Sequence, residues 1–375
     1  MIPYGKQSIN KDDIDAVIAV LKSDFITQGP VVPAFEKAFS HYVGSNDAIA
    51  VSNATAGLHL ACLALGVSKG DYVWTSPNSF VASANCALYC GANVDFVDID
   101  LSTYNISIEA LEEKLIQAEK IGKLPSVVIP VHFAGRSCDM KRIFDLSQKY
   151  QFKIIEDASH AVGATYDDSR VGDNKYSDIA VFSFHPVKII TTGEGGMVTC
   201  KSLKISEKIR NLRSHGITRD PGKYDFSSDQ EWYYEQQCLG YNYRMTDIQA
   251  ALGLSQLKRL EDFLAKRNKL AKRYHELLDK YESVCLPQFS DQSISSWHLF
   301  VVLLNNRDIA YQSLRENKIY ANLHYIPIYK QPYYRKLNVD FNSCPNMESY
   351  YLKCLSLPIY FDLEEKDLDL IVRLL

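Results

Sequence analysis

Between residues 47 and 200, short runs rich in β-branched and aromatic residues alternate with helical segments, and no other property of the chain restricts its fold as tightly. Strand signals fall at 47–51 (DAIAV), 71–75 (DYVWT), 94–97, 127–131 and 152–156 (FKIIE), then at 179–184 and 197–200. Helical spacing fills the gaps over 55–65, 80–89, 108–120 and 140–150, with Ser107 as the expected cap of the third. Strands this short and apolar, separated by helices, predict an α/β fold with a mostly parallel central sheet flanked by helices.

Helical spacing also covers 11–22, with Asn10 as cap, and 32–42. From 246 to 281 a charged helical pattern runs almost unbroken and reads as a connector leading away from the first part, its basic face solvated. A strand pattern at 299–304 and a helical one at 308–317 follow. The expected organisation is a large domain over 1–250 and a smaller α+β domain over 251–375, led by the connector. A net charge of −4 argues against nucleic acid as a partner. No apolar run approaches the ~20 residues of a membrane span. The first residues, MIPYGKQSINKDD, lack the apolar core of a signal peptide, so a cytoplasmic setting is expected. The nine cysteines are scattered without a CxxC pair. Cys86 and Cys90 have helical spacing but no second ligand pair nearby, so reduced thiols and no metal are expected.

In a parallel sheet, ligands gather beyond the C-terminal strand ends. After the first strand comes Ser52-Asn-Ala54-Thr55-Ala-Gly57, small residues opening a helix. That is an anion site in form, although capping by Ser52 or Thr55 explains it equally. There is no Walker sequence and no GxGxxG. Phe80 follows the second strand, where it could stack on a flat ligand or simply fill the core. Asp157 and His160 follow FKIIE, an acid–base or metal pair in form, without the further ligands a metal needs. Then SFHPVKIITTGEGG sets Lys188 in an apolar run ahead of three glycines. Desolvation lowers a lysine's pKa and suits it to Schiff-base chemistry, whereas a snorkelling surface lysine is the ordinary alternative. Together these parts match pyridoxal 5'-phosphate (PLP). Lys188 would take its aldehyde and Asp157 its ring nitrogen. Ala54, Thr55 and Ser183 would take its phosphate, and Phe80 its ring.

Eight segments carry a resemblance over nearly the whole chain. They are ITQGPVVPAFEKAF, SNATAGLHLA, TSPNSFVASANCALYCGA, IIEDASHAVGATY, FSFHPVKIITTGEGGMV, RSHGI, LGYNYRMTDIQAALGLSQL and LHYIPIYKQPYY. The chain resembles the DegT-type nucleotide-sugar aminotransferases, a branch of the fold-type-I PLP enzymes. The resemblance implies that Lys188 is the Schiff-base lysine, that Asp157 pairs with the pyridine nitrogen and that His160 lies near the 3-oxygen. It also implies Phe80 against the ring, Ala54, Thr55 and Ser183 at the phosphate, and a homodimer. In that dimer Asn242 reaches the neighbour's cofactor phosphate, with Arg244 beside it. L-glutamate is the implied donor and the C4 ketone of a nucleotide sugar the acceptor. Family members that dehydrate the sugar carry His at the lysine position, where this chain has Lys188.

Sugar-nucleotide contacts are expected from Tyr4, Thr27, His185, Arg213, His215, Arg219, Arg244, Tyr325 and Tyr329, since a diphosphate favours the arginine fork. For Arg213 and Arg219 a surface loop charge is the competing reading. The segment from His324 to Tyr329 (HYIPIY) is similar to the pseudaminic acid branch, whose members make UDP-4-amino-4,6-dideoxy-N-acetyl-β-L-altrosamine. Many relatives have His where Tyr329 stands. Alternatives are another NDP-4-keto sugar, of the bacillosamine, legionaminic or dTDP type, and a non-catalytic, regulatory PLP-binding protein.

Overall fold

A computed structural model describes residues 1–226, 228–337 and 344–375. Seven strands form the central sheet: β1 (Asp47–Val51), β2 (Tyr72–Thr75), β3 (Asn93–Phe96), β4 (Val127–Ile129), β5 (Lys153–Asp157), β6 (Ile179–Ser183) and β7 (Gly196–Cys200). Their spatial order is β1-β7-β6-β5-β4-β2-β3. β7 runs antiparallel to both neighbours, and every other pairing is parallel. Strands β5, β6 and β7 are buried almost throughout, which is why they read as continuous apolar runs rather than as alternating ones.

Register brings the chemistry to one edge. Gly196 pairs with both Val51 and Ser183, and Asp157 pairs with Val181. The last residues of β1, β5 and β6 therefore lie side by side with the first residue of β7. Gly196 is required there, because a Cβ would stand 2.8 Å from both the Ala54 nitrogen and the Phe182 carbonyl.

Around the sheet lie α1 (Lys11–Leu21), α2 (Val31–Val43), α3 (Ala54–Ala64), α4 (Ala82–Tyr89), α5 (Ile108–Lys120), α6 (Met140–Tyr150) and α7 (Leu203–Arg213). Asn10 and Ser107 cap α1 and α5 as expected. Helix α3 departs from expectation. Asn53 caps it by accepting the Ala56 N–H at 2.8 Å, which leaves Ser52 and Thr55 out of that role.

The unbroken connector is two helices, α8 (Asp247–Leu257) and α9 (Leu260–Leu278). Arg259 breaks the run. Its guanidinium reaches Asp13 of α1 at 2.5 Å and the Ser8 carbonyl at 3.1 Å. The boundary expected at residue 250 falls inside α8, which packs on α1 and α2. The start of α9 packs with the sheet's helices, through Leu260, Phe263 and Leu264. Its later half, through Leu270, Tyr274 and Leu278, shares a core with Phe300–Leu304, Cys354–Leu357 and the C-terminal helix. Among the described residues no helix is long and apolar enough to cross a membrane.

Candidate active site

A cavity of about 850 Å³ opens at the strand edge where Asp157, Ser183 and the α3 start converge. Of the residues singled out from the sequence, Tyr4, Ala54, Thr55, Phe80, Asp157, His160, Ser183, His185, Lys188 and Tyr325 all line it. A helix start leaves its first N–H groups without intrahelical acceptors, so Ala54 and Thr55 offer donors beside the Ser183 hydroxyl. Phe80 is 61% exposed although it is a large aromatic, so its face is open to an occupant of the cavity.

Asp157 is buried, with its oxygens held from two directions. Ser83 on α4 donates to Oδ2 at 2.6 Å, and the Ser159 N–H donates to Oδ1 at 3.1 Å. It has no salt bridge among the described residues. A buried carboxyl group with spare acceptor capacity and no ion-pair partner fits a protonated ring nitrogen. Lys188 is half-buried in the same wall. Burial pushes its amine down to about 8, and the Asp157 charge only partly opposes that shift. The lysine is therefore the desolvated kind rather than a snorkelling surface one.

His160 is neutral on two grounds. Burial, then the Lys188 charge, then His324 hold its pKa well below the usual value. Its Nδ1 also accepts the Ala134 N–H at 3.3 Å, which an imidazolium nitrogen could not do. The proton then belongs on Nε2, 3.1 Å from the Tyr325 hydroxyl. Ala134 has φ 57°, an unusual backbone for a residue with a side chain. Gly135 follows it at φ 99°, where a Cβ would stand 2.5 Å from the Ser296 Oγ. Burial and Lys188 push His324 down to about 3, and its Nδ1 pairs with the Ser356 hydroxyl at 2.8 Å.

Several expected contacts are not in this cavity. Tyr329 turns away from it. Its hydroxyl donates to Glu348 at 2.8 Å and its ring packs edge-on against Phe96 at 5.9 Å, so it forms no wall for a sugar here. Arg213 is committed between α2 and β1, donating to Glu36 at 2.7 Å and to the Ala50 carbonyl at 2.8 Å. Thr27, His215 and Asn242 are exposed, and Arg244 is half-buried beside Val51. Arg219 lies over the Tyr234 ring at 5.1 Å. Among the described lining residues there is one lysine and no arginine. Sequence reasoning missed Ser83, Ser159, Glu194, Asn322, His324 and Gln331. Ser83 had no local signal, because its partner Asp157 lies 74 residues further along the chain, on β5. His324 did have one, since it sits inside the quoted HYIPIY.

The chain matches the DegT/DnrJ/EryC1/StrS aminotransferase family over residues 7–375. It belongs to that family. The UDP-4-amino-4,6-dideoxy-N-acetyl-beta-L-altrosamine transaminase of Campylobacter jejuni is 38% identical over 98% of this chain and 94% of its own length. The Helicobacter pylori PseC structure, an aminotransferase involved in the biosynthesis of pseudoaminic acid, superposes with a TM-score of 0.90 at 31% identity. It covers 100% of this chain and 97% of its own. The PLP form of the sugar aminotransferase Spr1654 of Streptococcus pneumoniae superposes at 0.89 with 29% identity, over 99% of this chain and 97% of its own. This DegT-family chain is a PLP-dependent aminotransferase. The residues present fit the cofactor: helix-start donors, an uncompensated buried carboxylate, an open aromatic face and a desolvated lysine stand around one cavity.

Proposed function

We propose that the chain moves the amino group of L-glutamate to C4 of a UDP-linked 4-keto-6-deoxy-N-acetylhexosamine, giving UDP-4-amino-4,6-dideoxy-N-acetyl-β-L-altrosamine. The observation that carries the chemistry is Lys188, desolvated to a pKa of about 8 in the same cavity wall as the Asp157 carboxylate. The choice of sugar rests on the Campylobacter relative, similar over 98% of this chain, and not on Tyr329, which is bound to Glu348.

PLP supplies an electron sink and carries the amino group between donor and acceptor. Lys188 would hold the cofactor through its amine and, as a free neutral amine, would be the base that moves the donor's Cα proton. Asp157, held in place by Ser83 and the Ser159 N–H, would face the ring nitrogen. His160, neutral, meets the Tyr325 hydroxyl with Nε2 and would be placed to donate towards the 3-oxygen. Ala54, Thr55 and Ser183 would take the phosphate, and Phe80 would keep water from one ring face.

A nucleotide diphosphate needs cations, and this lining offers few. We assign the cation to Arg244 of a second copy of the chain in a homodimer, beside an Asn242 that reaches the cofactor phosphate, with the exposed Thr27 loop as a further sugar-nucleotide contact. The test is a mass-resolved assay of the purified protein with L-glutamate against UDP- and dTDP-linked 4-keto-6-deoxy sugars. At least about tenfold better kcat/KM is expected for the UDP-linked β-L-arabino 4-hexulose than for its D-xylo epimer, the worth of one good hydrogen bond. Preference for the D-xylo sugar would move the chain to another branch. Failure with every keto sugar, while glutamate still converts the cofactor, would remove the nucleotide sugar.

A further inference from the structure

Arg267 lies midway along α9, between the stretch that packs with the sheet's helices and the stretch that shares the C-terminal core. It is 2% exposed, and among the described residues no carboxylate pairs with it. Its Nη1 donates instead to three backbone carbonyls, those of Trp297 at 3.0 Å, His298 at 3.3 Å and Ile359 at 3.0 Å. Its Nε is buried without an acceptor. Burying a cation against neutral carbonyls is costly, and an apolar side chain would fill the same space at less cost. The segment that Arg267 holds reaches His160 by three routes. The Ser296 hydroxyl donates to the His160 carbonyl at 2.8 Å. The His298 ring lies 4.4 Å from the His160 ring. The N–H groups of Ser296 and Leu299 donate to the Gly135 carbonyl at 3.0 Å and the Ala134 carbonyl at 3.3 Å, fixing the turn whose Ala134 N–H binds His160 Nδ1. Trp297, in the middle, has φ 48°, a backbone that a residue with a side chain adopts where its surroundings impose it. The third carbonyl leads to the same cavity, because the Ile359 N–H donates to the Tyr4 carbonyl at 3.0 Å and Tyr4 lines the cavity.

We propose that Arg267 is a positioning residue for transamination, a buried cation that clamps the Trp297 and His298 carbonyls and so fixes His160 against the cofactor. The inference rests on the reading of His160 as a cofactor contact. A neutral His160 offers one proton, on Nε2, and the direction of that proton depends on the tilt of the ring. Contacts to its carbonyl, its ring and its Nδ1 set that tilt, and all three depend on residues 296–299. Two carbonyls of this segment end on one guanidinium. Removing the guanidinium takes a donor from three carbonyls of buried residues, so the segment must move to find others, and His160 moves with it. A displacement of about 1 Å at a reacting group costs up to about a hundredfold in rate. Arg267 does not line the cavity, so it acts on the chemistry only through these partners.

The test follows the visible absorption of the PLP-loaded protein, first titrated with pH and then mixed with L-glutamate. His160→Phe, Ser296→Ala and Arg267→Met should each shift the pH midpoint of the band in the same direction, by about half a pH unit or more. Ser296→Ala removes no charge, so its shift reports geometry alone. Arg267→Lys should shift the midpoint far less than Arg267→Met, because an ammonium has three protons for the three carbonyls. Lys188, Asp157, His298, His324 and Tyr325, the titratable groups around His160, are present in every variant. The limiting rate at which glutamate bleaches the band should fall about tenfold in Arg267→Met, with the half-saturating glutamate concentration within about twofold. Adding Arg267→Met to His160→Phe should shift the midpoint no further. A lower melting temperature in Ser296→Ala and Arg267→Met, with midpoint and bleaching rate unchanged, would make the clamp structural only and overturn the proposal. An additive shift in the double variant would overturn it too, by showing a route that bypasses His160. If Arg267→Met does not fold, Ser296→Ala decides alone. An unchanged midpoint in His160→Phe would overturn the reading of His160 at the cofactor and this inference with it. A wild-type band that glutamate leaves intact would remove the donor, and the midpoints would then judge Arg267.

Discussion

At the scale of single residues, the site rests on a carboxyl group held in place and an amine taken out of water. Asp157 accepts from two donors. Lys188 loses part of its affinity for a proton through burial. Lys188→Ala should still bind PLP through the phosphate donors. Borohydride should then fix no cofactor to the chain, and turnover should fall by about a thousandfold or more. The lysine's depressed value also sets a pH window. Only the neutral amine attacks the aldehyde, so the rate at which apo protein captures PLP should rise with pH and level off above about 8. A rate still climbing well past that point would show an ordinary lysine. Asp157→Asn keeps the shape but removes the charge at the ring nitrogen, and about a hundredfold loss in kcat is expected. Wild-type kinetics in this variant would deny the carboxylate its role. Lys188 and Asp157 were legible in the sequence because each sits in a motif at a strand end. The place of Tyr329 in a motif says nothing about where its hydroxyl points, and in the structure Glu348 takes it.

At the scale of elements, the strand and helix pattern was legible wherever burial and capping are local. Asn10 and Ser107 cap from within their own helices. Helix α2 is different. Pro30 gives it no side-chain cap, and the donors of its first turn are met from α8. Asp247, fully buried, accepts the N–H groups of Val31 at 2.8 Å and Val32 at 3.2 Å, and that of Gly29 at 2.8 Å. Such a cap supplied from far along the chain leaves no sequence signature. Asp247→Ala should strand these donors and lower the unfolding free energy by about 3 kcal/mol. The loss should be visible as a lower denaturant midpoint with PLP absent. An unchanged midpoint would mean that water replaces the carboxylate. The split between α8 and α9 was illegible for the same reason, because Arg259 is drawn out of helical geometry by Asp13, far away in sequence.

At the scale of the molecule, the cavity is assembled from the sheet edge and from a segment of the C-terminal part. Tyr325 donates its N–H to Asn78 at 3.3 Å and meets His160 with its hydroxyl, so residues 322–326 close one side of the site. The opposite requirement, cations for a diphosphate, is not met within the lining. If a second copy supplies Asn242 and Arg244, two separately inactive variants should complement each other. Mixing Lys188→Ala with Asn242→Ala should recover about a quarter of wild-type activity after subunit exchange, since the hybrid dimer regains one intact site. No recovery, with exchange demonstrated by mass, would place Asn242 outside any partner's site.

What the sequence determined by itself was the order of strands and helices, the mostly parallel sheet and the set of strand-end residues that line the cavity. These depend on periodicity and on side-chain chemistry within a few residues of each position. Only the tertiary structure decided which polar side chains are free to act. Ser83 holds Asp157, Arg213 is taken by Glu36, and Tyr329 by Glu348. Each of these pairings joins residues far apart along the chain, and a hydrogen bond or ion pair at that range is set by how the layers pack, not by the spacing around either partner.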